Sequence, residues 1–174
     1  MTEQEAIDLL RHYRHAFSNH IQLMISYAQM GKLDHVQEKG AELIDQMTRD
    51  QQFQSMPLPR TIVSLLQLNH ANSGMQWAPI VHLDAKPKVD DQVLSSLIQS
   101  IHQLIIEQSM NLLLYHGTIK FHQPIDQPFQ LKIICHGTFN EIDQFKFALL
   151  KLDNKIQIES ATKEGVVFNW TAQD

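Results

Sequence analysis

Residues 3–30 contain no glycine or proline. Their apolar positions, Ile7, Leu10, Phe17, Ile21, Met24 and Ala28, alternate in steps of three and four. Arg14 fills the one interrupted position of that series. This is the a/d seam of a heptad pattern, and it requires a helix that packs along its length against other helices. Such a helix spans about 40 Å at 1.5 Å per residue. Thr2 and Glu5 have the spacing of a capping box at its start, and Gly31 supplies a stop. Asp34 is the expected cap of a second helix reaching to about Phe53, with Val36, Leu43, Ile44 and Met47 on its apolar side. Gly40 within it is costly for a helix but permits close packing. The intervening turn is short, so the two helices are expected to be antiparallel neighbours. A lone hairpin cannot bury a seam from both sides. The pattern therefore predicts a second copy and a four-helix bundle.

Pro57 and Pro59 close this region. The expected organisation is a helical hairpin over 1–54, a linker over 55–60 and a second domain over 61–174. In the second domain, 60–71 and 91–114 read as helices and 76–83 as a strand. Ile119 and Phe121, then Phe129, Leu131, Ile133 and Cys135, alternate as strands do. Residues 140–152 read as a helix, and a hairpin ends the chain with Val166, Phe168 and Trp170 in phase. Helices segregated from strands predict an α+β domain with helices on one face of a mixed sheet. Trp77 and Trp170 are expected in a core or interface, and His102 is expected to face solvent.

The formal net charge of −5 argues against a nucleic-acid partner, and no polybasic patch suits a membrane surface. The acidic opening MTEQEAIDLL lacks the basic start of a signal peptide. No apolar run approaches the roughly 20 residues of a membrane span. A single cysteine, Cys135, forms no internal disulfide. These features predict a cytoplasmic chain.

The chemistry concentrates in RHYRHAFSNHIQL, residues 11–23, which holds three of the ten histidines. At roughly 100° per residue, Asp8, His12, His15, Asn19, Gln22 and Ser26 share one narrow stripe. The apolar seam lies roughly opposite, so His15 is expected to face solvent. A solvated polar face is the plain reading of such a stripe. Against it stand the flanking Arg11 and Arg14, which suit a phosphoryl oxygen or an acidic partner. Imidazole is a nucleophile that titrates near neutrality, so it can accept and return a phosphoryl group. Metal binding by His12 and His15 would need a third ligand that the wheel does not supply.

Residues 9–36 resemble the sporulation initiation phosphotransferase B family of spore-forming bacteria. That family carries an Arg-His-Asp-aromatic-x-Asn core; here it reads Arg14-His15-Ala16-Phe17-Ser18-Asn19, followed by Ile21-Gln22 and Gly31-Lys32. The resemblance implies a homodimeric phosphorelay phosphotransferase, with a degenerate form of the histidine-kinase ATPase α/β sandwich at the C-terminus. It implies that His15 takes a phosphoryl group from a single-domain response regulator and passes it to the receiver of a sporulation transcription regulator. Arg14 and Asn19 would support the phosphoryl site. Arg11, His12, Ser18, Gln22 and Leu23 would contact receivers. No cofactor is expected on this chain, because the receiver supplies Mg²⁺. Ala16 departs from the family's acidic residue. That keeps open a receiver-docking paralogue without chemistry.

A third reading is a fragment of an ATP-dependent histidine kinase. It requires glycine-rich phosphate loops, yet no two of the six glycines form Gly-x-Gly. HGTFN, residues 136–140, stands where such a loop would follow the Cys135 strand.

Overall fold

The structure, a computed structural model, describes residues 2–70, 74–108 and 115–172. The chain divides into two compact units, Met1–Gln52 and Phe53–Asp174. The element bounds are α1 (Glu3–Gln29), α2 (Leu33–Gln54), α3 (Pro59–His70), β1 (Met75–Leu83), α4 (Asp91–Gln108), β2 (Tyr115–Gln123), β3 (Gln130–His136), α5 (Ile142–Leu152), β4 (Ile156–Thr162) and β5 (Gly165–Thr171). The tail of the 91–114 helix expected from the sequence, and Ala71 at the end of the 60–71 helix, lie outside the described residues.

The first unit is an antiparallel hairpin. At the start of α1 the Thr2 amide donates to Glu5 Oε2 at 2.7 Å, and the Glu5 amide to Thr2 Oγ1 at 3.2 Å. Two amides at the helix start are thereby satisfied. At its end Gly31 adopts φ +70°, its amide donates to Ala28 and that of Lys32 to Tyr27. This paired closure needs a left-handed residue, which glycine adopts without strain. Helix α2 begins at Leu33, so Asp34 lies inside the first turn and not at the cap. There its carboxylate acts on the helix dipole. Leu9, His20, Met24 and Tyr27 of α1 and Val36, Gly40 and Leu43 of α2 are half-buried. Tyr27 meets His35 edge-on, with ring centroids 5.1 Å apart. No described residue of α1 is fully buried.

The second unit is a five-stranded sheet in the order β1-β2-β3-β5-β4. β1 runs parallel to β2, and the other neighbours are antiparallel. The order of elements makes the reason plain: α4 is the crossover that returns the chain for a parallel pair, whereas the later strands mostly join by short turns. One face of the sheet, with Tyr115, Ile119, Phe121, Ile133, Phe168 and Trp170, forms a core with Leu94, Ile98, Ile101 and Ile105 of α4. α4 packs against both α3 and α5. Phe53, Met56 and Leu58 are buried in the same core, and Phe53 lies 6.1 Å from Phe121 between ring centroids. The opposite face, including Thr118, Lys120, Lys132 and Ile134, is half-exposed.

The ends of the helices are tied by long-range bonds. Asp91 of α4 accepts the amides of Arg60 and Thr61 at 2.7 and 2.9 Å, which caps α3 behind Pro59. Both edge strands are blunted, β1 by Pro79 and β4 by a register shift between Ile158 and Ser160.

Candidate functional site

The helical hairpin presents two stripes. One is polar: His12, His15, Asn19, Gln22 and Ser26 are all exposed, and Asp8 is half-buried. The other is apolar and equally open: Leu10 is 70% exposed and Ile44 66%, with Ile7, Phe17, Ile25 and Met47 also uncovered. His15 stands on α1 about midway along its 27 residues. An open imidazole on a rigid helix is accessible to a docking protein, and its backbone is held by the surrounding turns.

Around His15 the side chains are not equivalent. Arg11 is tied to Asp8, its guanidinium donating to Oδ1 at 2.9 Å, while Gln4 donates to Oδ2 at 3.0 Å. Arg11 therefore reaches toward the N-terminal end of α1, one turn away from His15. The sequence expectation that Arg11 and Arg14 both flank a phosphoryl group is modified by this ion pair. Arg14 is exposed and forms no ion pair with a described residue. Asn19, Ser18 and Leu23 are exposed, as is Ala16, which supplies no carboxylate to the imidazole. His20 lies on the half-buried side, away from His15. Ser26 donates to the Gln22 carbonyl at 2.9 Å and is spent on its own helix.

Sequence reasoning did not single out the pairing of Tyr13 with Asp50. Burial raises the Tyr13 hydroxyl above its ordinary range, and the nearby Asp50 carboxylate adds to it. Burial also raises Asp50, with Arg49 opposing. The signal was weak because the tyrosine and the aspartate are 37 positions apart on different helices.

Backbone amides at 137 and 139, in the only loop the sequence nominates as a phosphate cradle, are already committed. Gly137 donates to the Glu164 carbonyl at 3.1 Å and Phe139 to that of Lys163 at 2.9 Å. Phe139 is buried between Tyr115 and Phe145, with centroids 5.7 and 4.9 Å away. The Tyr115 hydroxyl donates to the Thr138 carbonyl. A Cβ on Gly137 would fall 1.8 Å from the Tyr115 ring, so the loop is closed down on an aromatic side chain. Glu107 of α4 accepts a bond from Gln103 at 3.1 Å; Asn111 lies outside the described residues.

His102 departs from expectation. It is 5% exposed, and its Nδ1 accepts the Trp77 indole N–H at 3.0 Å. A helical wheel cannot register β1, which supplies the indole. Burial holds the imidazole pKa below its ordinary value. Cys135 is buried too, and its thiol is pushed up to about 12, which leaves it unreactive. Among the described residues no three His, Cys, Asp or Glu side chains converge as a metal cage, and no helix is long and apolar enough to cross a membrane.

Residues 1–56 match the family model described as the SpoOB-type sensor-kinase alpha-helical domain. The match spans the hairpin and covers the helices that carry His15. No curated protein matches the chain. Among solved structures, similarity is found to the mycobacterial sensor histidine kinase MprB, at 10% identity and TM-score 0.42, over 64% of this chain and 93% of that one. The Acinetobacter baumannii histidine kinase AdeS is 11% identical with TM-score 0.43, over 90% and 96%. The Erythrobacter litoralis EL346 blue-light activated histidine kinase is 12% identical with TM-score 0.39, over 98% and 60%.

Proposed function

We propose that this chain is a phosphorelay phosphotransferase in sporulation initiation, carrying phosphoryl groups between response-regulator aspartates on His15. The observation that carries the reading is an exposed His15, midway along the first helix of a SpoOB-type hairpin. In the first half-reaction an imidazole nitrogen attacks the phosphorus of an aspartyl phosphate. The P–N bond forms as the P–O bond to the aspartate breaks, and the carboxylate leaves. In the second half-reaction a carboxylate on another receiver attacks the phosphohistidine, and the imidazole leaves. Transfer between two good carriers needs mainly in-line positioning, with Mg²⁺ supplied by the receiver. Arg14, which has no ion pair among the described residues, starts from the seam side and reaches round toward the acceptor with its long side chain, and Asn19 stands one turn beyond His15. His12, Ser18, Gln22 and Leu23 form the docking ground, with Arg11 presented as its ion pair with Asp8.

The reading includes a homodimer, supported by the exposed Leu10, Phe17, Ile44 and Met47. Apolar side chains spaced as a seam gain burial only when a second hairpin covers them. The reading also takes the second unit as a non-nucleotide scaffold, supported by the committed amides of Gly137 and Phe139.

The test is phosphotransfer with purified components. A phosphorylated single-domain receiver is mixed with this chain, Mg²⁺ and no ATP. The expected result is acid-labile, base-stable label on the native chain and none on His15→Ala. Equal labelling of both would remove His15 as acceptor. Ala16 leaves the imidazole without an adjacent carboxylate, which favours one competing outcome, a docking protein without transfer. Receiver binding retained by His15→Ala, with no label on either chain, would establish that outcome instead.

A further inference from the structure

The open face of the sheet carries histidines in cross-strand register. His116 of β2 stands opposite His136 of β3 in the antiparallel ladder, and both are exposed. Their neighbours Tyr115, Gly117 and Cys135 are buried on the other face, so both imidazoles leave the sheet on the same side. Directly opposed residues place their Cβ atoms about 4.5–5.5 Å apart. That spacing lets two imidazole nitrogens close on one ion at about 2.0–2.1 Å. Neither imidazole is engaged by another described side chain. The row continues with Gln76 beside His116 and Gly165 beside His136. A Cβ on Gly165 would stand 3.6 Å from His136 Nδ1, an ordinary contact, so the β5 side of that imidazole is uncrowded.

We infer that His116 and His136 form a two-imidazole chelate on the open sheet face for one divalent transition-metal ion of the copper, nickel or zinc class. Imidazole donors select these borderline ions over Mg²⁺ and Ca²⁺, which want oxygen. No third His, Cys, Asp or Glu completes a cage among the described residues. The ion therefore keeps open positions for water, or for the Gln76 amide oxygen next in the row. The pair belongs to the second unit and the inference is independent of the chemistry at His15. His82 and His122 form the comparable pair in the parallel ladder, but His122 is half-buried, so that pair serves as the control.

Copper(II) alone is the probe, titrated into the full chain in a non-coordinating buffer and followed by electron paramagnetic resonance. The expected result is one tight copper(II) whose hyperfine pattern reports two imidazole nitrogens. His116→Ala and His136→Ala should each weaken it by about an order of magnitude or more, because a chelate becomes a single ligand. His82→Ala and His15→Ala should leave it unchanged. Both sheet histidines are exposed, so circular dichroism of the variants is expected to match the native chain. Affinity unchanged in either His116→Ala or His136→Ala, or lost in His82→Ala, would overturn the site.

Discussion

His102 shows what a single side chain contributes when its environment is dry. The Trp77 N–H occupies Nδ1, so the neutral tautomer carries its proton on Nε2 and a second proton would break the pair. Burial lowers the folded-state pKa below its ordinary value of 6.5. A group with a depressed folded pKa contributes stability that is fully present above the unfolded value. That stability is lost as pH falls below it toward the folded value. Urea midpoints measured from pH 8 down to pH 5 should therefore drop, and the drop should be shallower in His102→Leu. At pH 8 the same variant should lose about 1–3 kcal/mol, because the Trp77 N–H is left buried without an acceptor. A parallel pair of curves would mean that other groups set the pH dependence. Nothing in the local sequence announces this role: the positions around His102 are helical and mixed, and its partner is 25 residues away.

At the scale of elements, caps and stops were legible because they are local. Thr2, Glu5 and Gly31 act on atoms within five residues of themselves. The role of Gly40 was not legible, since it depends on what faces it. A Cβ there would meet Met24 Sδ at 3.8 Å, ordinary van der Waals contact. Close helix approach therefore does not require the glycine. Gly40→Ala should stabilise the hairpin by about 0.5–1 kcal/mol, through lower chain entropy in the unfolded state and better helix propensity. Thermal unfolding followed at 222 nm would check it, and a lower midpoint would mean that a second chain packs on that glycine. The 91–114 stretch shows a different limit: a periodic apolar pattern identifies a helix more securely than its end.

For the molecule as a whole, the proposed dimer makes the hairpin's exposed stripe the decisive surface. Leu10→Glu with Phe17→Glu places like charges on the stripe and should shift sedimentation from dimer toward monomer. His15 labelling should survive at high protein concentration if each hairpin carries its own acceptor. The helical type of the first unit and the α+β type of the second were readable from periodicity, because the backbone geometry of helices and strands imposes periods of 3.6 and 2 on any sequence that must bury one side. The placement of His15 on a polar stripe opposite a seam follows from the same geometry. Strand order, the buried Trp77–His102 pair, the Asp91 cap on α3, the turning of Arg11 toward Asp8 and the meeting of His116 with His136 came only from the folded chain. Most of these join residues on different elements, and periodicity carries no information about which elements become neighbours. The Arg11 turn is local, an i,i+3 pair with Asp8, but a helical wheel does not fix the rotamer that carries the guanidinium there.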